Sequence, residues 1–402
     1  MFSSNPPLGL YIHLPWCAQK CPSCDFNSHQ ADDFPESAYI AALLEDLEQE
    51  LPLVWGRRIE SIFIGGGTPS LFSAESIDQL FSGLRSLINF APAIEITMES
   101  NPGSADAANY RGYREAGVNR LSIGVQSFDD TQLDNLGRIH DSAQAEAAFA
   151  LAREAGFDNI NLDLMFALPH QTAESAARDL DRAIALGPEH ISRYELTLEP
   201  NTLFHHQPPA GLPDNDACFE LQQAGQAQLA ASGYRQYEIS AYARDDRRCQ
   251  HNVNYWQFGD YLGIGAGAHG KITLGGENRV LRRVRKRHPR GYLDARGKER
   301  IASETELTPP DLLFEFMLYA LRLSDGFASR LFHDNTGLSL NTLLPALKRA
   351  RERGLIDYDG EKIQPTALGF NHLNDLQALF LELESAPQRP FFDSSVEIIH
   401  SR

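Results

Sequence analysis

Three cysteines fall within eight residues, as Cys17-x3-Cys21-x2-Cys24, with Pro15 ahead of them and Pro22 inside the spacing. Proline there favours a loop over a helix. A loop can wrap three thiolates around one cube of iron and sulfide and leave the fourth iron without a protein ligand, open to a small chelating molecule. The competing reading is zinc, with His13, His29 or a distant thiol as fourth ligand. Structural zinc sites usually use paired Cys-x2–4-Cys modules, and nothing here completes a second pair. The two remaining cysteines, Cys218 and Cys249, lie far downstream. Five so unevenly placed make no disulfide framework, and reduced thiols are expected.

A second chemical feature is Ile62-Phe63-Ile64-Gly65-Gly66-Gly67-Thr68-Pro69, which puts three glycines at the end of a strand-like run, where backbone can approach a ligand closely. Such runs recur at Gly9–Leu14, Ser61–Gly66, Ile94–Ser100, Arg120–Ser127, Asn159–Ala167 and His190–Leu198. Between them lie helix-like stretches at Pro35–Leu51, Ala74–Ile88, Asp141–Ala155 and Ala173–Leu186. Repeated βα units predict a parallel sheet curling toward a barrel. In the third, fourth and fifth strands Ile94, Ile96, Met98, Leu121, Ile123, Val125, Ile160, Leu162 and Leu164 take one face. Glu95, Thr97, Glu99, Ser122, Gly124, Gln126, Asn161 and Asp163 take the other. A closed eight-stranded barrel fills its interior with Val, Ile and Leu, so a polar interior predicts an incomplete (β/α)6 barrel holding a polar ligand. Cys17, Gly66, Glu99, Gln126 and Asp163 then gather at the strand C-termini.

The chain has 402 residues, 42% hydrophobic and 22% charged, enough for a catalytic barrel with a smaller appended domain. The expected division is a core barrel over 1–243, an HNxxYW segment with a Gly-rich loop and basic linker over 244–304, a mainly helical winged-helix-like domain over 305–385, and a tail over 386–402. A seventh strand-like run is expected at Tyr234–Tyr242. The C-terminal part reads as helices 310–323, 327–336, 340–353 and 366–384, with a hairpin turning at Asp359-Gly360. A formal charge of −18 opposes nucleic-acid binding. The local exception is Arg279–Arg300, with ten Lys or Arg against Asp294 and Glu299, a balance of +8. Residues 305–385 hold twelve acidic against seven basic residues, so the C-terminal module is expected to act as a lid or partner surface, not on DNA. No basic and apolar leader opens the chain and no membrane-length apolar stretch occurs, which predicts a cytoplasmic protein.

With these residues in view, the chain resembles the anaerobic coproporphyrinogen oxidase family of the radical SAM superfamily, and within it the HemW-type heme chaperone branch. The resemblance spans nearly the whole chain. It rests on Tyr11-Ile12-His13-Leu14-Pro15-Trp16-Cys17, Cys21-Pro22-Ser23-Cys24-Asp25-Phe26-Asn27-Ser28-His29, Gly65-Gly66-Gly67-Thr68-Pro69, Gly124-Val125-Gln126-Ser127, Asp163-Leu164-Met165 and His251-Asn252-Val253-Asn254-Tyr255-Trp256. It implies a [4Fe–4S] cluster on Cys17, Cys21 and Cys24, S-adenosylmethionine against Tyr11, Gly66, Gly67 and Glu99, and further cofactor-binding positions at Thr68, Gln126, Arg138 and Asp163. It also implies an electron donor such as flavodoxin or ferredoxin, heme as a bound group, and a heme-acceptor protein. His251 is the expected heme ligand, since neutral imidazole commonly serves heme iron and Tyr255, Trp256, Phe258 and Tyr261 offer flat apolar surface. Cys249 competes for that role. The decarboxylating relatives carry a further cysteine where this chain has Phe26, and a long segment before the first strand where it has about ten residues. Both departures favour the chaperone over oxygen-independent coproporphyrinogen III dehydrogenase. Gly265-Ala266-Gly267-Ala268-His269-Gly270-Lys271 nearly spells a P-loop, but Ile272 replaces its Ser/Thr, so the run is expected to line the S-adenosylmethionine pocket instead. The basic run Arg282–Arg287 is expected to meet porphyrin propionates or an acidic partner, or to be a solvated linker.

Overall fold

In the computed structural model, which describes residue 2 and residues 4–381, six parallel strands follow one another as Leu8–Leu14, Arg58–Gly66, Asn89–Ser100, Arg120–Gln126, Ile160–Phe166 and His190–Glu195, each paired with its neighbour. These are the six runs expected from the sequence. A seventh parallel strand, Asp260–Ile264, pairs with Leu8–Leu14 on its other side. The sheet does not close: it continues through antiparallel strands at both edges. The βα alternation shapes it, with Leu10, Ile12, Ile62, Ile64, Ile96, Met98, Leu121 and Ile123 packing outward under the helices as one core.

Helix starts are set by local caps. Ser73 Oγ accepts from Ser76 N, and the Asp141–Gln144 and Thr172–Ser175 pairs form capping boxes. The helix Ala173–Leu186 ends on Gly187 in the left-handed region, where glycine carries no Cβ penalty.

Three stretches differ from expectation. Tyr234–Tyr242 is not one strand but two short antiparallel ones, Arg235–Gln236 and Ala241–Ala243, split by a turn at Glu238 whose carboxylate accepts from Ser240 N and pairs with Arg322 at 3.0 Å. Residues 244–304, expected to be loop and linker, supply the helix Gln250–Trp256, the seventh parallel strand, and antiparallel strands His269–Leu274, Arg279–Arg285 and Ile301–Glu306. Most of the basic run is therefore sheet. Its arginines are spent inside the chain: Arg282 on Glu315, Arg283 on Glu50 and Glu304, Arg285 on Asp46 and Glu50.

The C-terminal region has helices Pro309–Ala320, Ser329–Thr336 and Leu344–Glu352 around a three-stranded sheet of Phe327–Ala328, Ile356–Tyr358 and Lys362–Pro365, a winged-helix-like layout. The expected hairpin is present, with the Asp359 carboxylate accepting from Glu361 N and Lys362 N. The last expected helix is two, Ala367–Asn371 and Leu373–Leu381, interrupted at His372; its residues beyond 381, and the expected tail 386–402, lie outside the described residues. Phe316, Phe332, Leu347 and Ile363 form a second core, shared with Tyr255, Trp256, Phe258 and Tyr261.

Candidate functional site

The loop from Cys17 to His29 is tied at both ends. Trp16–Cys17 pairs with His29–Gln30, His29 N donates to Pro15 O at 2.7 Å, and Ala31 N to Cys17 O at 3.1 Å. Inside it, Lys20 Nζ donates to the carbonyls of Phe26 and Ser28. His13 Nε2 meets Asn27 O at 2.9 Å, and burial lowers its pKa to about 4, so the ring is neutral. Asn27 Nδ2 donates to Ala266 O and Arg287 O. The Gly265–Lys271 run therefore buttresses the cysteine loop from behind and does not line the pocket. A Cβ on Gly267 would come within 2.2 Å of Asn27 Nδ2, and one on Gly265 within 2.4 Å of His13 O.

Each cysteine has a polar neighbour. Thr68 Oγ1 donates to Cys17 Sγ at 3.4 Å, Arg138 Nη1 to Cys21 Sγ at 3.5 Å, and Ser28 Oγ lies 3.4 Å from Cys24 Sγ. Burial raises the Cys17 thiol pKa and the Thr68 hydroxyl opposes that. Hydroxyl and guanidinium donors are the environment thiolates need, and hydrogen bonds to sulfur tune an iron–sulfur centre. Among the described residues no group of three or more His, Cys, Asp or Glu side chains is placed to hold a single metal ion. The loop brings its three thiols into the wall of one pocket.

The loop opens on a solvent-connected pocket of about 130 Å³ at the C-terminal ends of the parallel strands. Its wall brings together Cys17, Cys21, Cys24, Gly66, Gly67, Thr68, Glu99, Gln126, Arg138 and Asp163. Strand parity is the cause: Glu99, Ser122, Gly124, Gln126 and Asp163 all stand on the inward face read from the sequence. Gly66 has φ +118, and its N–H donates to Glu99 Oε2 at 3.3 Å. A Cβ at Gly66 would strike the His13 ring at 2.7 Å and one at Gly67 the Trp16 carbonyl at 2.4 Å, so these glycines also let the second strand pack on the first. Asp163 accepts from Ser122 Oγ at 2.9 Å and Asn161 Nδ2 at 2.8 Å, yet burial outweighs both and raises its pKa to about 6. Arg138 Nη2 is anchored on Gly124 O at 3.0 Å, while its Nε is buried with no hydrogen-bond partner among the described residues. Gln126, at φ +70, accepts from the Tyr194 hydroxyl. Together these place carboxylates, amide and guanidinium around one polar cavity beside three thiols, a donor set suited to an amino acid linked to a nucleoside.

Tyr11 is not in that wall. Its hydroxyl meets His13 Nδ1 at 3.0 Å and its ring stacks on Phe63. His251 is not there either. It is 1% exposed on the helix Gln250–Trp256, with Nδ1 3.0 Å from Ser61 Oγ and Nε2 2.9 Å from the Tyr255 hydroxyl. Burial lowers its pKa to about 3. Both ring nitrogens are occupied, so iron could reach one only by displacing a buried partner. Tyr255, Trp256, Phe258 and Tyr261 are packed into the second core and present no free face to a porphyrin. Cys249 is also buried, with Sγ 3.6 Å from Glu95 Oε1, and Glu95 accepts from Gln250 N at 2.8 Å. The segment is a floor plug, capped by a buried carboxylate. Tyr194, by contrast, lines the pocket without having been singled out; alternation of His190, Ser192 and Tyr194 on the sixth strand was the signal that could have found it.

Residues 11–183 match the model of the radical SAM superfamily, and residues 307–371 that of the HemN C-terminal domain. The chain is 48% identical to the heme chaperone HemW of Haemophilus influenzae, covering 94% of this chain and 99% of that one. It is 47% identical to the heme chaperone HemW of Escherichia coli, over 94% and 98%. Among solved structures it resembles the coproporphyrinogen III oxidase HemN of Escherichia coli, described as a radical SAM enzyme, with TM-score 0.79 and 27% identity over 94% of this chain and 90% of that one.

Proposed function

Since this chain belongs to the radical SAM superfamily and, within it, to the HemW family, we propose that it is a heme chaperone that holds a [4Fe–4S] cluster and S-adenosylmethionine in the pocket at the strand C-termini and hands heme to an acceptor protein. The observation that carries the reading is the single wall shared by the three cysteines and the seven polar and glycine positions around them.

Cys17, Cys21 and Cys24 would hold three irons of the cluster. Gly66, Gly67 and Thr68 leave room for the methionyl part of S-adenosylmethionine, Glu99 accepts from its ammonium group, and Arg138 pairs with its carboxylate. Asp163 and Gln126 serve hydroxyl and sulfonium groups deeper in the pocket. With both cofactors bound, the cluster would supply the electron for reductive cleavage of a carbon–sulfur bond of S-adenosylmethionine, with methionine as the leaving group. The chain's own work is geometric: it fixes the loop through Asn27 and Pro15, buries Asp163 so that its pKa rises to about 6, and keeps the floor sealed with the Gln250–Trp256 helix. His251 belongs to that floor, and no axial-ligand role is assigned to it.

The likeness to HemN favours a second reading, oxygen-independent coproporphyrinogen III dehydrogenase. Phe26 lines the pocket where the decarboxylating relatives resembled here carry a cysteine, which argues against it. Anaerobic reconstitution followed by parallel assays separates the two. Retained heme without protoporphyrinogen formation is expected. Turnover of coproporphyrinogen without heme retention contradicts the chaperone reading.

A further inference from the structure

Beneath the pocket the polar groups do not stop at Asp163. They continue as a chain of hydrogen bonds that leaves the wall, passes through His190 on the sixth strand and ends on the floor helix. Asn161 Nδ2 donates to Asp163 Oδ1 at 2.8 Å and to Ser122 Oγ at 2.7 Å, and Ser122 in turn donates to Asp163 Oδ2. Asn161 Oδ1 stands 2.6 Å from His190 Nδ1, and His190 Nε2 stands 2.9 Å from the Tyr237 hydroxyl. That hydroxyl accepts from Cys249 N at 3.2 Å, at the N-cap of the helix Gln250–Trp256. Asn161, His190, Tyr237 and Cys249 are all buried.

Each bond in the chain has one direction. A backbone N–H can only donate, so Tyr237 accepts from Cys249, and its single hydrogen is left for His190 Nε2. Burial holds His190 neutral, with one ring hydrogen, which must then sit on Nδ1. Nδ1–H requires an oxygen on Asn161, which turns the amide so that its NH2 faces Asp163. The other end demands the same orientation, because an ionised carboxylate needs a donor and would repel Oδ1. Ser192 Oγ, 3.1 Å from Asn161 Oδ1, adds a hydroxyl on the His190 side, and buried Arg120 sets a positive charge near both Asp163 and Tyr237.

We propose that His190 and Tyr237 are positioning residues for ligand binding: Tyr237 fixes the His190 tautomer, His190 fixes the Asn161 amide, and Asn161 holds Asp163 as an acceptor in the pocket wall. This rests on the functional reading above, since the ligand is taken to be S-adenosylmethionine, and it makes the floor and the pocket one polar unit. No bond forms or breaks. The chain acts by orientation alone, so that a donor group of the ligand meets a carboxylate already set.

Calorimetry of S-adenosylmethionine binding to the full chain with its cluster reconstituted is the test. His190→Leu deletes the donor to Asn161 and is expected to weaken binding about tenfold, the worth of one hydrogen bond to a charged group. Tyr237→Phe removes one oxygen and frees the tautomer, so a smaller loss is expected. His190→Asn puts an amide donor where Nδ1–H stands and should bind close to wild type, with Tyr237→Phe adding nothing in that background. Tyr234→Phe, which deletes a buried hydroxyl bonded to Pro188 O outside the chain, is the control and should leave affinity unchanged. The decisive arm places His190→Leu in Asp163→Asn. If the ring acts through Asp163 the leucine then costs little, whereas a merely structural loss stays as large as before. Cluster absorbance and chemical denaturation show that each protein compared is loaded and folded; should His190→Leu fail to fold, Tyr237→Phe takes its place in the same cycle. Wild-type affinity in both His190→Leu and Tyr237→Phe, or a loss undiminished in Asp163→Asn, overturns the inference. A wild type that binds no S-adenosylmethionine overturns the functional reading itself and this inference with it.

Discussion

The two ends of the barrel are built from the same strands and do opposite things with polar groups. At the C-terminal end Glu99, Gln126, Arg138 and Asp163 surround open space, and Arg138 Nε is left without a partner among the described residues. At the N-terminal end Glu95 accepts from Gln250 N, and both His251 ring nitrogens have a hydroxyl partner, Ser61 and Tyr255, under the helix Gln250–Trp256, although Trp256 Nε1 in that helix is buried without a partner among the described residues. A buried polar group must be hydrogen-bonded or it costs stability, so full satisfaction marks a structural network, while partial satisfaction beside a cavity marks a binding site. The hexapeptide His251–Trp256 does not by itself tell one from the other.

The largest effect that could break this contrast is at the cysteines. Replacing Cys17, Cys21 and Cys24 together with alanine should abolish the reconstituted cluster, read as iron and sulfide per chain, whereas Cys218→Ala should leave it. Four irons retained in the triple variant would show that the loop is not the ligand set.

Next is the floor. His251→Ala removes a buried ring and strands the Ser61 and Tyr255 hydroxyls, which should cost roughly 3 kcal/mol of stability without changing the cluster spectrum. Chemical denaturation measures the first and absorbance the second. A variant of wild-type stability that instead loses its heme spectrum would return His251 to the role of iron ligand.

Two smaller effects sharpen the pocket. Glu99→Ala should weaken S-adenosylmethionine binding by calorimetry and spare the cluster, since Glu99 stands in the wall near Gly66 N. Asp163 gives a pH signature. Its pKa rises from an ordinary 3.8 to about 6 on folding, so the folded carboxylate is charged above that value and protonated below it. Burying the charge opposes folding fully above pH 6, and that opposition is relieved as pH falls from 6 toward 4. Binding of a cationic ligand follows the opposite course, being strongest above pH 6 and weakening from 7 to 5. Asp163→Asn should bind more weakly and with that pH dependence flattened; an unchanged slope would move the titration to another group.

Much of this contrast was legible in the sequence on one side only. Period-two alternation in Ile94–Ser100, Arg120–Ser127 and Asn159–Ala167 identified the inward residues, because strand geometry alone decides which face a side chain takes. Position along the strand decides the rest: Glu95 and Glu99 share a face, yet one seals the floor and the other lines the pocket. That the His251 ring is sealed by Ser61 depends on a contact between residues 190 positions apart, which no local pattern encodes. The strand Asp260–Ile264 was hidden for a related reason. Its neighbours are glycine-rich because Gly265 and Gly267 pack against His13 and Asn27, and that composition reads as loop.

The most direct measurement is electron paramagnetic resonance of the reconstituted, reduced protein with and without S-adenosylmethionine. If three cysteines leave one iron open beside Gly66, Thr68 and Glu99, adding the cofactor should change the cluster signal, and Glu99→Ala should require more cofactor for the same change. A signal identical with and without S-adenosylmethionine at saturating concentration would contradict the account.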